Sequence, residues 1–243
     1  MKDGSVIATE RFPPPGYLTL KVVAIDRSLA GQARLTLQGV ELAEFGPCRP
    51  GAWLRVFIPG PQGDVGRVYS IREFDRDHHR LQIQVMRRRH GGVRSDWLLE
   101  HLQVGEHLHV IGPRGGAEPR QDVDWHVMLG DETAVAAIAS RLQRLGPEMP
   151  VEVRLDVPLP ATAYREDPRI QWLSRAIHAN AEPSRLWQAV AELPPRSGRG
   201  ELWIAGETGL ARALESWCRE HWAHCELDVR AIGYWQSPSM VSD

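Results

Sequence analysis

The sequence predicts two domains in a fixed order: a six-stranded antiparallel β-barrel, then an α/β domain built on a parallel sheet. Three observations carry this. The first half consists of short apolar or alternating runs broken by Gly, Pro and Asp. The second half alternates such runs with longer helical patterns. Between them lies a polar stretch with glycines and a proline, Gly115–Asp124. The division falls between residues 1–118 and 119–243.

In the first half the expected strands are Tyr17–Ile25, Ala33–Leu37, Trp53–Ile58, Val68–Phe74, Leu81–Arg87 and His107–Ile111. Six strands at this spacing suit a closed barrel or a sandwich. One helix interrupts them, with Ser95 as its N-cap and Asp96 against the positive end of its dipole. In the second half, strands are expected over Trp125–Gly130, Val151–Val157, Glu201–Ala205 and Leu227–Ile232. Helices are expected over Glu132–Leu145, Pro168–Asn180, Ser184–Leu193 and Leu210–Trp222.

Composition excludes several classes. With 42% hydrophobic and 25% charged residues the chain is an ordinary globular one. A formal net charge of −2 provides no basic field for nucleic acid. Cys48, Cys218 and Cys225 form neither a C-x-x-C nor a metal-ligand spacing, which suits reduced thiols and no bound metal. No window reaches the ~18 apolar residues of a membrane span, and Met1-Lys-Asp-Gly lacks the apolar core of a signal peptide. The expected location is the cytoplasm.

The chemistry concentrates in two segments of the first half. In Arg67-Val-Tyr-Ser-Ile-Arg72, strand alternation puts Arg67 and Tyr69 on one face, Val68 and Ser70 on the other. A guanidinium binds phosphate, a phenol stacks on a flat ring, and a serine hydroxyl bonds a ring edge. Some twenty residues on, Arg87-Arg-Arg-His-Gly-Gly-Val-Arg-Ser leads from a strand through a glycine turn into a helix. Gly91 and Gly92 allow close backbone approach, and the first free amides of the helix suit a pyrophosphate. Arg87, Arg88, Arg89 and Arg94 supply positive charge there, more than a mere turn needs, with one or two of them read as solvated charge. Together the segments point to FAD, held by Arg67, Val68, Tyr69, Ser70, Arg87, Arg88, Gly92, Val93, Arg94 and Ser95.

Arg67-Val-Tyr-Ser-Ile-Arg72 resembles the R-x-Y-T-x-R signature of the siderophore-interacting protein family, in the ferredoxin-reductase superfamily. Gly112-Pro-Arg-Gly115, Leu129-Gly-Asp-Glu-Thr-Ala-Val-Ala-Ala-Ile138, Trp203-Ile-Ala-Gly-Glu207 and Gly233-Tyr-Trp235 follow the family in order. The resemblance implies a flavin-binding barrel, a nucleotide-binding α/β domain, and NADH or NADPH as electron donor, with reduced ferredoxin serving some members. It implies reduction of a ferric siderophore to Fe(II), which hard oxygen donors hold far more weakly. No side-chain acid, base or nucleophile is required, so no catalytic residue is expected.

On the donor side, Gly130-Asp-Glu-Thr and Gly206-Glu-Thr stand at the carboxyl ends of expected parallel strands, where such sheets bind ligands. Asp131 and Glu132 read as complements of the helix dipole, leaving Thr133 as the cofactor contact. On the substrate side, Arg55 matches a lysine common in the family, and Arg114 is a second cation; both read also as ordinary surface charges. Two positions depart from the family pattern. After Gly-Tyr-Trp the chain reads Gln236-Ser-Pro-Ser-Met-Val-Ser-Asp243, where relatives are basic, and Arg88 stands where a histidine is usual. A less anionic siderophore follows, or another acceptor on the same fold; a non-catalytic flavin- or siderophore-binding protein is the alternative of a different class.

Overall fold

The computed structural model describes residues 16–28, 31–60, 63–87, 93–157, 167–174, 185–194 and 196–237. Six strands, β1 (Leu18–Asp26), β2 (Gln32–Gln38), β3 (Ala52–Ile58), β4 (Val65–Asp75), β5 (Arg80–Met86) and β6 (His107–Gly115), close into an antiparallel barrel of order β1-β2-β5-β4-β3-β6. Period-two patterning fills it. Ala33, Leu35 and Leu37 of β2 are fully buried, while Arg34 and Thr36 between them face outward. Each leucine so buried contributes about 1.5–3 kcal/mol. The helix α1 (Val93–Glu100) plugs the barrel with Leu98 and Leu99. Arg27 fixes the end of this helix by donating to the carbonyls of Leu99 and Leu102, both at 2.6 Å.

Helix α1 starts two residues before the expected cap. Ser95 therefore lies within its first turn, and its hydroxyl is taken by Tyr69 Oη at 3.1 Å. Its partner is thus on the barrel wall and not in its own helix.

The second sheet is wholly parallel and contains β7 (Trp125–Asp131), β8 (Val151–Val157), β9 (Ile170–Ser174), β10 (Arg199–Glu207) and β11 (Glu226–Trp235), ordered β11-β10-β7-β8-β9. All seven residues of the central β7 are buried, as a parallel strand covered on both faces requires. The flanking helices are α2 (Val135–Leu142), α3 (Leu186–Ala191) and α4 (Thr208–His221). Helix α2 follows a 3-10 turn over Glu132–Ala134 and ends three residues short of expectation.

Strand β9 corrects the helix expected over Pro168–Asn180. Ile170 and Trp172 pack into the cluster around α2, and Leu173 packs into the opposite one, a strand-like alternation that places apolar side chains on both faces. The rest of that stretch lies outside the described residues. Among the described residues no helix is long and apolar enough to cross a membrane.

The segment joining the sheets is held by a buried triad. Arg141 donates to Glu201 Oε1 at 2.6 Å, and His126 Nδ1 lies 3.1 Å from Glu201 Oε2. Each of the three side chains is 1% exposed. Arg141 also donates to the carbonyl of Ala117, and Glu201 accepts from the Arg120 amide. Across the seam the Gly51 amide donates to Ser140 Oγ on α2 at 3.0 Å.

Candidate active site

Strand β4 carries Arg67-Val-Tyr-Ser70 past the seam. Cross-strand pairing sets Arg67 against Val56 and Tyr69 against Leu54, both inward-facing positions of β3. Val68 and Ser70 pair with Arg55 and Trp53 on the outward face. Tyr69 is packed into the barrel core, and its hydroxyl is the bridge to Ser95 described above. The two expected flavin segments thus meet through one buried hydrogen bond. Arg67 donates to the Gly66 carbonyl at 3.0 Å. Arg87 pairs with Glu100 at 2.5 Å, tying β5 to α1. Arg88, Gly91 and Gly92 lie outside the described residues, as do the side chains of Val93 and Arg94.

Ser70 faces the second domain, where Tyr234 near the end of β11 comes close enough to feel its hydroxyl. Burial pushes the Tyr234 phenol up despite the Ser70 hydroxyl, and the Asp131 charge pushes it the same way. Beside Ser70, the Trp53 ring lies beneath the Arg114 guanidinium at 5.9 Å. Arg55 is half-buried and lays its stem over Gly66, where a Cβ would meet its Cδ at 2.6 Å. The two expected substrate cations therefore share the outward face of β3 and β6 with Trp53.

Across the seam the carboxyl ends of β7, β10 and β11 converge on Asp131. Its Oδ1 accepts from the Thr133 amide at 2.8 Å and the Thr133 hydroxyl at 2.5 Å. Its Oδ2 accepts from the Glu207 amide at 3.0 Å and from Trp235 Nε1 at 2.8 Å. Thr208 Oγ1 donates in turn to the Trp235 carbonyl. Asp131 is the cap of the turn, while Thr133 has its hydroxyl proton committed and only lone pairs left to offer. With Glu132 and Asp156 also buried nearby, this donor set does not fit a pyrophosphate at the turn.

The hub and Tyr234 escaped sequence reasoning, although Gly233-Tyr-Trp235 was the signal that marked them. Gly206 approaches the same carboxylate with φ +148°, and a Cβ there would lie 2.5 Å from Asp131 Oδ2. Gly206→Ala is expected to destabilise the α/β domain by about 1–3 kcal/mol through overpacking, read as a lowered urea midpoint.

On the barrel side the donor set is different: Arg67, the hydroxyls of Tyr69, Ser70 and Ser95, and the start of α1. These residues fit a phosphate-bearing cofactor with a planar ring edged by hydrogen-bond acceptors.

A closed antiparallel barrel joined to a parallel five-stranded α/β sheet is a ferredoxin-reductase-like fold. Phthalate dioxygenase reductase has this fold, matching with a TM-score of 0.63 at 16% identity over 88% of this chain and 68% of its own. The family model described as "Siderophore-interacting protein" matches residues 123–238. Ferric vibriobactin reductase ViuB of Vibrio cholerae is 28% identical over 229 residues, 84% of this chain and 83% of its own. A siderophore utilization protein from T. fusca superposes with a TM-score of 0.75 at 25% identity, covering 93% of this chain and 95% of the other. Over residues 123–238, and in these relatives over most of its length, the chain is similar to siderophore-interacting proteins.

Proposed function

We propose that this protein is an FAD-dependent reductase that passes electrons from NADH or NADPH to the Fe(III) of a siderophore in the cytoplasm. The observation that carries the reading is the meeting of Tyr69 and Ser95 in one buried hydrogen bond, because it joins the two segments suited to a flavin. The name of the V. cholerae relative supports iron–siderophore reduction as the reaction.

Arg67 and the first turn of α1 would hold the FAD phosphates, and Tyr69 and Ser70 would set the position of the ring. A bound flavin supplies the conversion between two-electron and one-electron chemistry. Tyr234 covers Ser70 from the second domain and restricts water there. Arg55 and Arg114 give the outward face beside Ser70 positive charge suited to an anionic ferric chelate. The Asp131 turn does not suit the donor's phosphates, so the donor assignment rests on the resemblance to the family, and Thr133 is its weakest contact.

The test is spectroscopic. The purified chain should be yellow, or become so on adding FAD, and should bleach anaerobically with NADH or NADPH. Ferric siderophore should then restore the colour with formation of Fe(II). Bleaching by reduced ferredoxin alone would reassign the donor, and failure to bind FAD would overturn the reading. Arg67→Ala removes a charge-assisted contact of about 1.5–3 kcal/mol. FAD affinity is expected to fall ten- to a hundredfold, measured by fluorescence titration.

A further inference from the structure

A second cleft of about 570 Å³ opens along the same seam, at the other end of α2. It lies about one helix length, roughly 12 Å, from the Asp131 turn, and of the Arg67–Arg72 segment only the far end, Ile71 and Arg72, lines it. The barrel contributes Cys48, Arg49, Arg72, Phe74 and Arg76, and the α/β domain contributes Ser140 and Arg144. Four guanidinium groups thus face two carboxylates, Glu73 and Glu118, in a chain whose formal charge is −2.

These cations are not all consumed by the fold. Arg49 is exposed, and its side chain makes no hydrogen bond or ion pair among the described residues. Arg144 has Glu118 at 3.9 Å, with both side chains 56% exposed, a pairing of little strength in water. Arg76 donates to the carbonyls of Ala43 and Phe45 and lies 5.5 Å from the Phe74 ring, which holds that wall rigid. Arg72 donates to Gln84 Oε1. Burial, and then the neighbouring Arg34, lower the Arg72 pKa to about 10 in spite of Glu73, so an added negative charge would be welcome there. Burial holds the Cys48 thiol up at about 11, so it brings no competing anion. Ile71, Phe74, Pro47 and Pro50 supply apolar surface between the charges. The volume falls within the range of small-molecule sites, roughly 300–1,000 Å³.

We propose that this cleft binds a small phosphate-bearing metabolite of nucleotide size, gripped by Arg49 and Arg76 from the barrel and Arg144 from the α/β domain. A ligand so placed ties the two domains together. The assignment is independent of the reductase reading.

Titration calorimetry on the full chain with FAD in excess, at constant ionic strength, tests it with ADP, pyrophosphate and citrate as probes. One saturable site for ADP or pyrophosphate is expected, with a Kd near or below about 1 mM. Arg49→Glu and Arg144→Glu should each weaken binding at least tenfold while leaving the unliganded melting temperature unchanged. No saturable binding of either phosphate, or binding unaltered in the double variant, overturns the proposal. Citrate binding more tightly than both phosphates overturns the choice of phosphate. Binding seen only when FAD is withheld assigns it to the flavin site and also overturns it.

Discussion

Replacing Glu201 by glutamine is expected to cost about 3–5 kcal/mol of stability, the penalty of leaving a buried charge uncompensated. The shape of the side chain is conserved, so the loss is electrostatic. Arg141 stays buried with its 2.6 Å partner neutralised, and His126 and the Arg120 amide lose a charged acceptor. Burial alone would raise the Glu201 carboxyl, yet the adjacent His126 and the Arg141 charge bring it down to about 2. The folded pKa is thus below the unfolded value of about 4.3. The stabilisation is complete above the unfolded value and is lost as pH falls through the folded one. The gap in urea midpoint between parent and variant should therefore be constant above about pH 5 and narrow toward pH 2. Replacing the pair together, as Arg141→Met with Glu201→Leu, should recover most of the loss. A gap independent of pH, or a double variant no better than the single one, would refute the triad's role. Because the triad holds Ala117 and Arg120 of the connecting segment, Glu201→Gln should also loosen the seam.

What was legible in the sequence follows from the range of each interaction. The barrel strands declare themselves because inward residues recur every second position, as in Ala33, Leu35 and Leu37. The Arg67–Ser70 segment stands out in the sequence because its signal lies in four consecutive residues, which the structure places on β4. Strand β9 was misread because Ile170, Trp172 and Leu173 are met by two different clusters, and apolar residues on both faces blur the period. The triad and the Asp131 hub draw on positions 60 to 104 residues apart. No local pattern announces such a partnership. Ser95 illustrates the same limit at short range, since a serine at a helix start signals a cap unless a tyrosine from another strand takes its hydroxyl.

Asp131→Asn is expected to cost roughly 1–6 kcal/mol, counting one or two buried donors left unpaired at about 1–3 kcal/mol each. The carboxylate accepts with both oxygens: Oδ1 serves Thr133, and Oδ2 serves the Glu207 amide and Trp235 Nε1. An asparagine has one acceptor and one NH2. Turned to keep Glu207 and Trp235, it presents its NH2 to Thr133, whose hydroxyl can accept but whose amide is left unpaired. Oriented to keep Thr133, it releases Glu207 and Trp235, and with Trp235 goes the anchor at the end of β11. Tyr234 precedes that anchor by one residue and depends on it to reach Ser70. Asp131 is accordingly a positioning residue, with no contact to a reacting atom required. Three readouts should move together: a lower urea midpoint, faster amide exchange in Gly233–Trp235, and siderophore reduction slowed at least tenfold. Asp131→Glu, which restores both acceptors on a longer arm, should recover part of the activity. A variant with normal exchange at the end of β11 but lost reduction would place Asp131 in direct contact with the reactants. Unchanged reduction alongside faster exchange would instead separate the Tyr234 cover from electron transfer.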